Sequence, residues 1–431
     1  MRFLRVWTCI ALAALALPAS AGPIAHREVL PNGVVLLVAE RPAIPIVVVR
    51  VYVRAGSVYD PADSGGLANL TADLLTRGTS KRTGPELDRA IEFVGGSLEG
   101  DAGQDGAAVG LSVLKKDLTL GLDLLAEVLL QPVFPEAELK RRSEEIAAGI
   151  QRSEQDPQTV AGRAIAELIF RGHPYSRPVL GTVESVRRLT RDQVVAFHRE
   201  NYRPDSAVIA VVGDVTRDEI RRELMARLGS WTGATASRPV IPQAPASPPV
   251  ESLRIKRELM QATVSLARPG IRQDHPDYFP LVVANYILGG GSASRLYTKV
   301  REERGLAYSV YSALGPGRYG ASYFVGLQTR LEAVDEAVRL VKEEMARMGR
   351  EAVTPRELDS AKSYLIGSYP LKTDTSGKMA GFLVAVEENE LGLEWPDRFK
   401  AGISRVTAAD VRRVATTYMD PATFSSVIVG K

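Results

Sequence analysis

Hydrophobic residues recur at three- and four-residue spacing in some stretches of the chain and cluster in β-branched runs in others. The segment from residue 66 to 76 has the first pattern and predicts a helix. Its apolar face comprises Leu67, Leu70, Leu74 and Leu75. A second helix should open at Thr83-Gly84-Pro85 and close at Gly95-Gly96, because Pro suits the first helical turn and Gly suits the end.

The β-branched runs predict strands near the start of each half of the chain. Residues 28–54 contain a strand, a turn at Asn32-Gly33 and further Val-rich runs. Residues 305–329 predict a hairpin around Gly315-Pro316-Gly317. Strands and helices do not alternate strictly, which favours an α+β fold with largely antiparallel sheets over a doubly wound fold.

The two halves of the chain look like copies of one another. Three pairs of residues are each separated by 217 positions: Thr190 and Thr407, Pro204 and Pro421, Gly213 and Gly430. Each threonine stands where its side chain can cap a helix. Each proline follows that helix, and each glycine ends a β-rich run. Three matches at one offset predict two homologous domains.

The amino-acid composition predicts two further segments, a linker between the domains and a signal peptide at the N-terminus. Residues 232–250 are rich in Pro, Ala and Ser and predict an extended linker between domains 22–231 and 251–431. Residues 1–21 have a basic start, a short apolar run and a small-residue cleavage site, which predicts a secretory signal peptide. A mature chain without this segment is expected in the periplasm or otherwise exported, with no membrane span.

Charge and cysteine content exclude several classes of function. Cys9, the one cysteine, lies in the predicted signal peptide, so the mature chain has neither disulfides nor thiolate chemistry. Loss of Arg2 and Arg5 leaves 52 basic against 51 acidic side chains. This near-neutral balance argues against a nucleic-acid partner.

The first predicted helix places Asn69, Ala72 and Asp73 on one face, away from its leucines. Two histidines at such i and i+4 positions, with a glutamate between them, can hold zinc and activate its water. These three residues lack that chemistry, and a solvated helix face is the expected role of Asn69 and Asp73. The four histidines are far apart in sequence, so a zinc site assembled from distant histidines is a less favoured alternative.

The segment "GGLANLTADLLTRGTSKRTGPELDRAIEFVGGSLEG" resembles the pitrilysin/insulinase family of zinc peptidases, which includes the mitochondrial processing peptidase. The family signature G-L-A-H-x-x-E-H places its first zinc histidine on Asn69, its general-base glutamate on Ala72 and its second histidine on Asp73. Its third ligand, a later glutamate, falls on Gly149, and a substrate-contacting Asn falls on Glu99. The resemblance implies two homologous domains in a clam-shell arrangement, with no zinc on this chain.

The resemblance covers nearly the whole mature chain and is most specific over residues 285–312. Two-domain members use an Arg and a Tyr from this region to complete the zinc site, and the matching residues are Arg301 and Tyr308. An arginine at a helix end and a tyrosine on the next strand can hold a carbonyl and stabilise an oxyanion. A solvated Arg301 and a packed Tyr308 are the alternative.

The glycine-rich segment at 289–292 resembles a loop implicated in substrate handling in the processing peptidase's non-catalytic subunit. It comprises Gly289, Gly290, Gly291 and Ser292. A turn whose glycines permit close packing explains it equally well.

Together these features predict the non-catalytic, substrate-binding subunit of a heteromeric exported zinc peptidase. Its partner would be a homologous subunit that carries zinc in an intact H-x-x-E-H motif, and its substrates would be extended peptides. A non-proteolytic peptide-binding or scaffold protein of the same fold is the alternative hypothesis.

Overall fold

A computed structural model describes residues 24–233 and 238–430 of the chain. The predicted signal peptide, with Cys9, lies outside the described residues, as do residues 234–237 of the predicted linker.

In the described part of the chain, six strands and eight α-helices precede the linker. The strands are β1 (His26–Val29), β2 (Val35–Glu40), β3 (Ile46–Val53), β4 (Ser97–Ala102), β5 (Ala107–Leu114) and β6 (Ala207–Gly213). The helices are α1 (Leu67–Leu74), α2 (Gly84–Phe93), α3 (Leu118–Leu130), α4 (Glu136–Ser153), α5 (Pro157–Ile169), α6 (Val183–Arg188), α7 (Arg191–Asn201) and α8 (Arg217–Leu228). The strands form one sheet in the order β1-β2-β6-β3-β5-β4.

Five strands and six α-helices follow the linker within residues 238–430. The strands are β7 (Ser252–Ile255), β8 (Gln261–Pro269), β9 (Ala307–Gly315), β10 (Ser322–Arg330) and β11 (Ser425–Val429). The helices are α9 (Tyr278–Gly289), α10 (Val334–Arg350), α11 (Pro355–Gly367), α12 (Ser376–Glu388), α13 (Trp395–Arg405) and α14 (Ala408–Tyr418). The second sheet has the order β7-β11-β8-β10-β9.

The two sheets have the same design, and the α+β prediction is confirmed. Each is antiparallel except for one pair, β2 with β6 in the first and β7 with β11 in the second. Gly213 is the last residue of β6 and Gly430 directly follows β11, and both glycines have a φ of +149°. Thr190 and Thr407 cap α7 and α14 through capping boxes, with Gln193 and Asp410 three residues on. The internal repeat therefore extends from sequence to backbone.

One helix of each domain packs on the sheet of the other domain. Helix α5, from the first domain, packs on β8 and β11, where Ile169 and Phe170 meet Val427 and Ala267. Helix α12, from the second domain, packs on β3 and β6, where Leu383 joins a cluster of first-sheet residues. Since burial of apolar area is the main source of packing energy, this exchange joins the domains along two apolar seams.

Polar contacts also join the domains. Glu388, at the end of α12, is buried and pairs with Arg54 of the first domain and Arg318 of the β9–β10 turn. The Tyr175 hydroxyl donates to Asp105 and accepts the Tyr319 amide at 3.0 Å. The tip of the β9–β10 hairpin is therefore anchored in the first domain. Within the described ranges, no helix is both long and apolar enough to cross a bilayer.

Candidate functional site

Helix α1 carries the positions that the family resemblance assigns to zinc. Asp60, just before the helix, accepts the amide hydrogens of Gly66 at 2.9 Å and Ala68 at 2.8 Å, so its carboxyl caps the helix. Burial raises the pKa of Asp60 to about 7, against the lowering effect of these amide hydrogen bonds. The leucine face of α1 lies in the first-domain core, as the sequence predicts.

The opposite face of α1 is filled by protein. Ala72 is fully buried, and a Cβ on Gly100 of β4 would come within 2.2 Å of the Ala72 carbonyl oxygen. The Asp73 carboxylate accepts two hydrogen bonds from the guanidinium of Arg142 on α4, with Nε and Oδ2 2.5 Å apart. Asp73 is only 19% exposed, so the expectation of a solvated helix face is wrong for this residue.

The Arg142 side chain explains how this face is closed. Arg142 lies two helical turns before Gly149 on α4, so both residues share a face of that helix. Its guanidinium also donates to Glu145, so one cation holds two carboxylates. A Cβ on Gly149 would meet only the far end of the Arg152 side chain, at 3.9 Å, and it is the Arg142 side chain that reaches α1. A salt bridge thus joins α1 to α4 where the resemblance places metal ligands.

The described residues offer no alternative metal centre. Within them, no group of three or more His, Cys, Asp or Glu side chains is arranged to hold a metal ion. His173 is buried and His198 is half-buried, and their Nε2 atoms lie 3.0 Å from the carbonyl oxygens of Pro242 and Leu129, respectively. Burial lowers the pKa of both, to about 4 for His198. Both histidines therefore have structural partners, and His198 connects its own helix α7 to the end of α3.

Arg301 and Tyr308 meet at one end of the second sheet. The Arg301 guanidinium lies over the Tyr308 ring, 5.4 Å from its centroid, and over the Tyr297 ring at 4.7 Å. Its Nη1 also donates to the Tyr297 hydroxyl at 2.7 Å. Tyr308 is 76% exposed. The structure thus brings the two side chains together, and cation–π contact holds the guanidinium in place.

Arg301 and Tyr308 each lie at a backbone irregularity. Tyr297–Glu303, predicted as an ordinary helix, is π-helical, and it ends before Gly305, whose φ is +59°. Tyr308 has no partner in the β9–β10 register, because Ser309 faces Gln328 while Ala307 faces Thr329. It is therefore the extra residue of a β-bulge on an edge strand. Wide helical turns and edge bulges both recur at functional sites, where they redirect a side chain.

The glycine-rich segment lies next to the same strand. Gly289 ends α9, and a Cβ there would come within 2.6 Å of the Ser312 amide nitrogen on β9. A Cβ on Gly290 would meet the Tyr286 backbone at the same distance. Gly291 follows without such crowding, and Ser292 is exposed. These contacts give the first two glycines a packing role, and the substrate-handling role stays a prediction.

Sequence reasoning missed Arg142 and Tyr297. Arg142 lies 69 residues from Asp73, so no local pattern connects them. Tyr297 lies one helical turn before Arg301, and an aromatic residue at that spacing was the available signal.

The chain was compared with known proteins. The family described as insulinase (peptidase family M16) matches residues 35–183, and the one described as peptidase M16 inactive domain matches residues 188–365. A Mycobacterium tuberculosis protein named an uncharacterized zinc protease is 30% identical over 90% of each chain. A Helicobacter pylori protein named a non-peptidase homolog is 27% identical over 82% of each chain.

Solved structures give the same result. A crystal structure of a peptidase M16 inactive domain from Pseudomonas fluorescens is similar, with a TM-score of 0.89 and 28% identity. The match covers 94% of this chain and 97% of that one. The chain belongs to the peptidase M16, or insulinase, family. Residues 188–365 match the family's inactive domain, and the fold is that of the Pseudomonas fluorescens M16 inactive domain.

Proposed function

We propose that this chain is the substrate-binding subunit of an exported, heteromeric zinc peptidase, and that it completes the partner's zinc site with Arg301 and Tyr308. One observation carries the proposal: this pair is held together on an exposed bulge, while the α1 positions carry a salt bridge. Zinc and the general base would belong to a homologous partner with an intact H-x-x-E-H motif.

The chemistry of the pair suits that task. Arg301 carries a permanent charge with several N–H donors, and Tyr308 offers a hydroxyl. Placed beside a partner's zinc, both can hold a scissile carbonyl and stabilise the oxyanion that forms when water attacks. The guanidinium is pre-positioned by Tyr297, so little side-chain entropy is lost when substrate binds.

Extended peptides are the substrate class that the fold accommodates. Strand β9 is an edge of the second sheet, and among the described strands it pairs with β10 alone. A peptide can add to such an edge through main-chain hydrogen bonds, which are independent of its sequence. A peptide bound there would run past Tyr308 at the bulge. The export of the complex is part of the proposal and rests on the predicted signal peptide.

A non-proteolytic peptide-binding or scaffold protein is the second candidate, and the H. pylori relative named a non-peptidase homolog favours it. The two candidates differ in the partner. The first requires a homologous subunit with an H-x-x-E-H motif, and the second does not.

The test is the peptidase rate of the assembled complex. Arg301→Ala and Tyr308→Phe should each lower kcat on the order of 10²-fold, as loss of an oxyanion donor does, with assembly unchanged. Arg304→Ala, at an exposed arginine three residues further on, is the matched control and should leave the rate unchanged. Unchanged rates in both test variants would reject the composite site.

A further inference from the structure

A groove lies between the two domains, on the outer face of the second sheet. Helix α5 covers β8 and β11 but leaves the face of β9 and β10 open beside it. Ile165 and Ile169 of α5 form one wall, and Phe324 of β10 and Tyr311 of β9 form the other. The cavity has a volume of about 270 Å³. A cavity of about 150 Å³ is enough to hold benzene, so an aromatic side chain fits this one.

The groove has a uniform chemistry, because none of its lining residues carries a charge. Its polar groups are hydroxyls and amides, such as those of Ser265, Ser309, Gln158 and Gln328. A charged group that entered would lose hydration without an opposite charge to compensate it. An apolar group would gain from burial against the isoleucines and aromatic rings.

The equivalent face of the first sheet carries charged side chains. By the order of strands, β3 and β4 correspond to β8 and β9. There Arg50 on β3 forms an ion pair with Asp101 on β4 at 3.6 Å, and Glu99 is exposed nearby. The uncharged groove is therefore a property of the second domain and not of the repeated fold.

One glycine keeps the groove open. Gly326 on β10 is the register partner of Tyr311, and a Cβ on Gly326 would lie 2.9 Å from Tyr311 Cζ. The tyrosine ring thus lies flat over the glycine, with its edge towards Phe324 at a centroid distance of 5.8 Å. Any side chain at position 326 would push the ring towards the groove.

We propose that this groove selects a large uncharged side chain, aromatic or aliphatic, of a peptide bound along β9. The inference rests on the proposed function, since it takes the β9 edge as the peptide site. A strand added to that edge places alternate side chains on the two faces of the sheet. The groove opens beside Ser309 and Tyr311 on one face. Tyr311 follows Tyr308 by three residues, so the selected residue lies roughly 10 Å along the strand from the Arg301 pair.

The test is binding of short labelled peptides to the purified mature chain, measured by fluorescence anisotropy. The peptides share one uncharged host sequence and carry a single Phe, Leu, Lys or Glu guest at successive positions. At one position, Phe and Leu should bind on the order of ten-fold tighter than Lys or Glu, the effect of burying one such side chain.

Two variants locate the preference in the groove. Gly326→Val should displace Tyr311 and abolish the preference. Gln328→Glu, which keeps the side-chain shape and adds a negative charge, should restore binding of the Lys peptide. Arg50→Gln on the first sheet is the control and should change nothing.

The outcomes separate this inference from the proposed function. Arg301→Ala should weaken all guest peptides alike and leave their ranking unchanged. Equal binding of all four guests, or a preference that both groove variants leave intact, would overturn the inference while the composite zinc site could still stand. Failure of every peptide to bind would overturn it too. Unchanged rates of the Arg301 and Tyr308 variants in the complex would remove the composite site alone.

Discussion

The salt bridge between Asp73 and Arg142 can be tested as the contact that joins α1 to α4. Three variants are needed: Asp73→Ala, Arg142→Ala and the double variant. Each single change leaves a partly buried charge without its partner on the facing helix, and the double change removes both charges. The difference between the double variant and the sum of the single variants isolates the pair from the additional Arg142–Glu145 contact.

The burial and hydrogen bonding of the Asp73–Arg142 pair determine how much unfolding free energy the variants should lose. Asp73 is 19% and Arg142 27% exposed, and two N–H donors of one guanidinium face the carboxylate. Exposed ion pairs contribute about 0.2–1 kcal/mol, whereas removal of one partner of a buried pair costs about 3–5 kcal/mol. This pair lies between those limits. We expect each single variant to lose about 2 kcal/mol and the coupling energy to be about 1.5 kcal/mol.

Urea unfolding followed by tryptophan fluorescence suits the measurement. Trp231 is buried in the first domain, and its indole donates to the Tyr202 carbonyl. A Trp395→Phe background removes the buried tryptophan of the second domain, so the signal reports the domain that contains the salt bridge. A coupling energy below about 0.5 kcal/mol would class the pair as an ordinary surface contact and refute its role in joining α1 to α4.

Three further predictions concern zinc binding, the titration of His198 and the N-terminus of the mature chain. Restoring the family's His, Glu, His and Glu at positions 69, 72, 73 and 149 should yield stoichiometric zinc, measured by elemental analysis, only when Arg142 is also changed to Ala. Equal zinc with Arg142 present would contradict its blocking role. Burial lowers the pKa of His198 to about 4 from 6.5, so the folded state keeps the imidazole neutral while the unfolded state protonates it below pH 6.5. The protein is therefore most stable above pH 6.5 and loses folding free energy as the pH falls towards 4. Wild type should therefore lose about 2–3 kcal/mol more than His198→Gln in urea unfolding at pH 4.5 compared with pH 7, and equal losses would show that His198 is not the titrating group. The mature protein exported by its host should begin near Gly22 by mass spectrometry, and an intact Met1 would reject cleavage of the predicted signal peptide.

Local chemistry explains what the sequence could predict. The Thr190 and Thr407 caps and the turn at Gly33 each depend on a few adjacent residues. The 217-residue repeat then determined the number of domains, because two copies of one pattern form two similar sheets. These features need no knowledge of distant contacts.

Apart from Tyr297, the features that sequence reasoning missed depend on contacts between distant segments. Helix α12 is apolar on two faces, with Leu383 towards the first sheet and Val386 towards the second-domain core. Two apolar faces indicate that the helix is buried, but they do not indicate which surface packs against each face. Asp73 looked solvated because its partner lies on another helix. Tyr308 occupies a bulge, which depends on its register against β10 and not on its own neighbours.

The central claim is that this chain acts in proteolysis only through a zinc-bearing partner. Its most direct test is affinity purification of the mature chain from its own host, with sequencing of co-purifying proteins and a peptidase assay of the eluate. The account predicts a stoichiometric homologous partner with an intact H-x-x-E-H motif and peptidase activity that a chelator abolishes. Recovery of the chain alone or paired with itself, without such activity, would contradict the account and favour the scaffold or peptide-binding alternative.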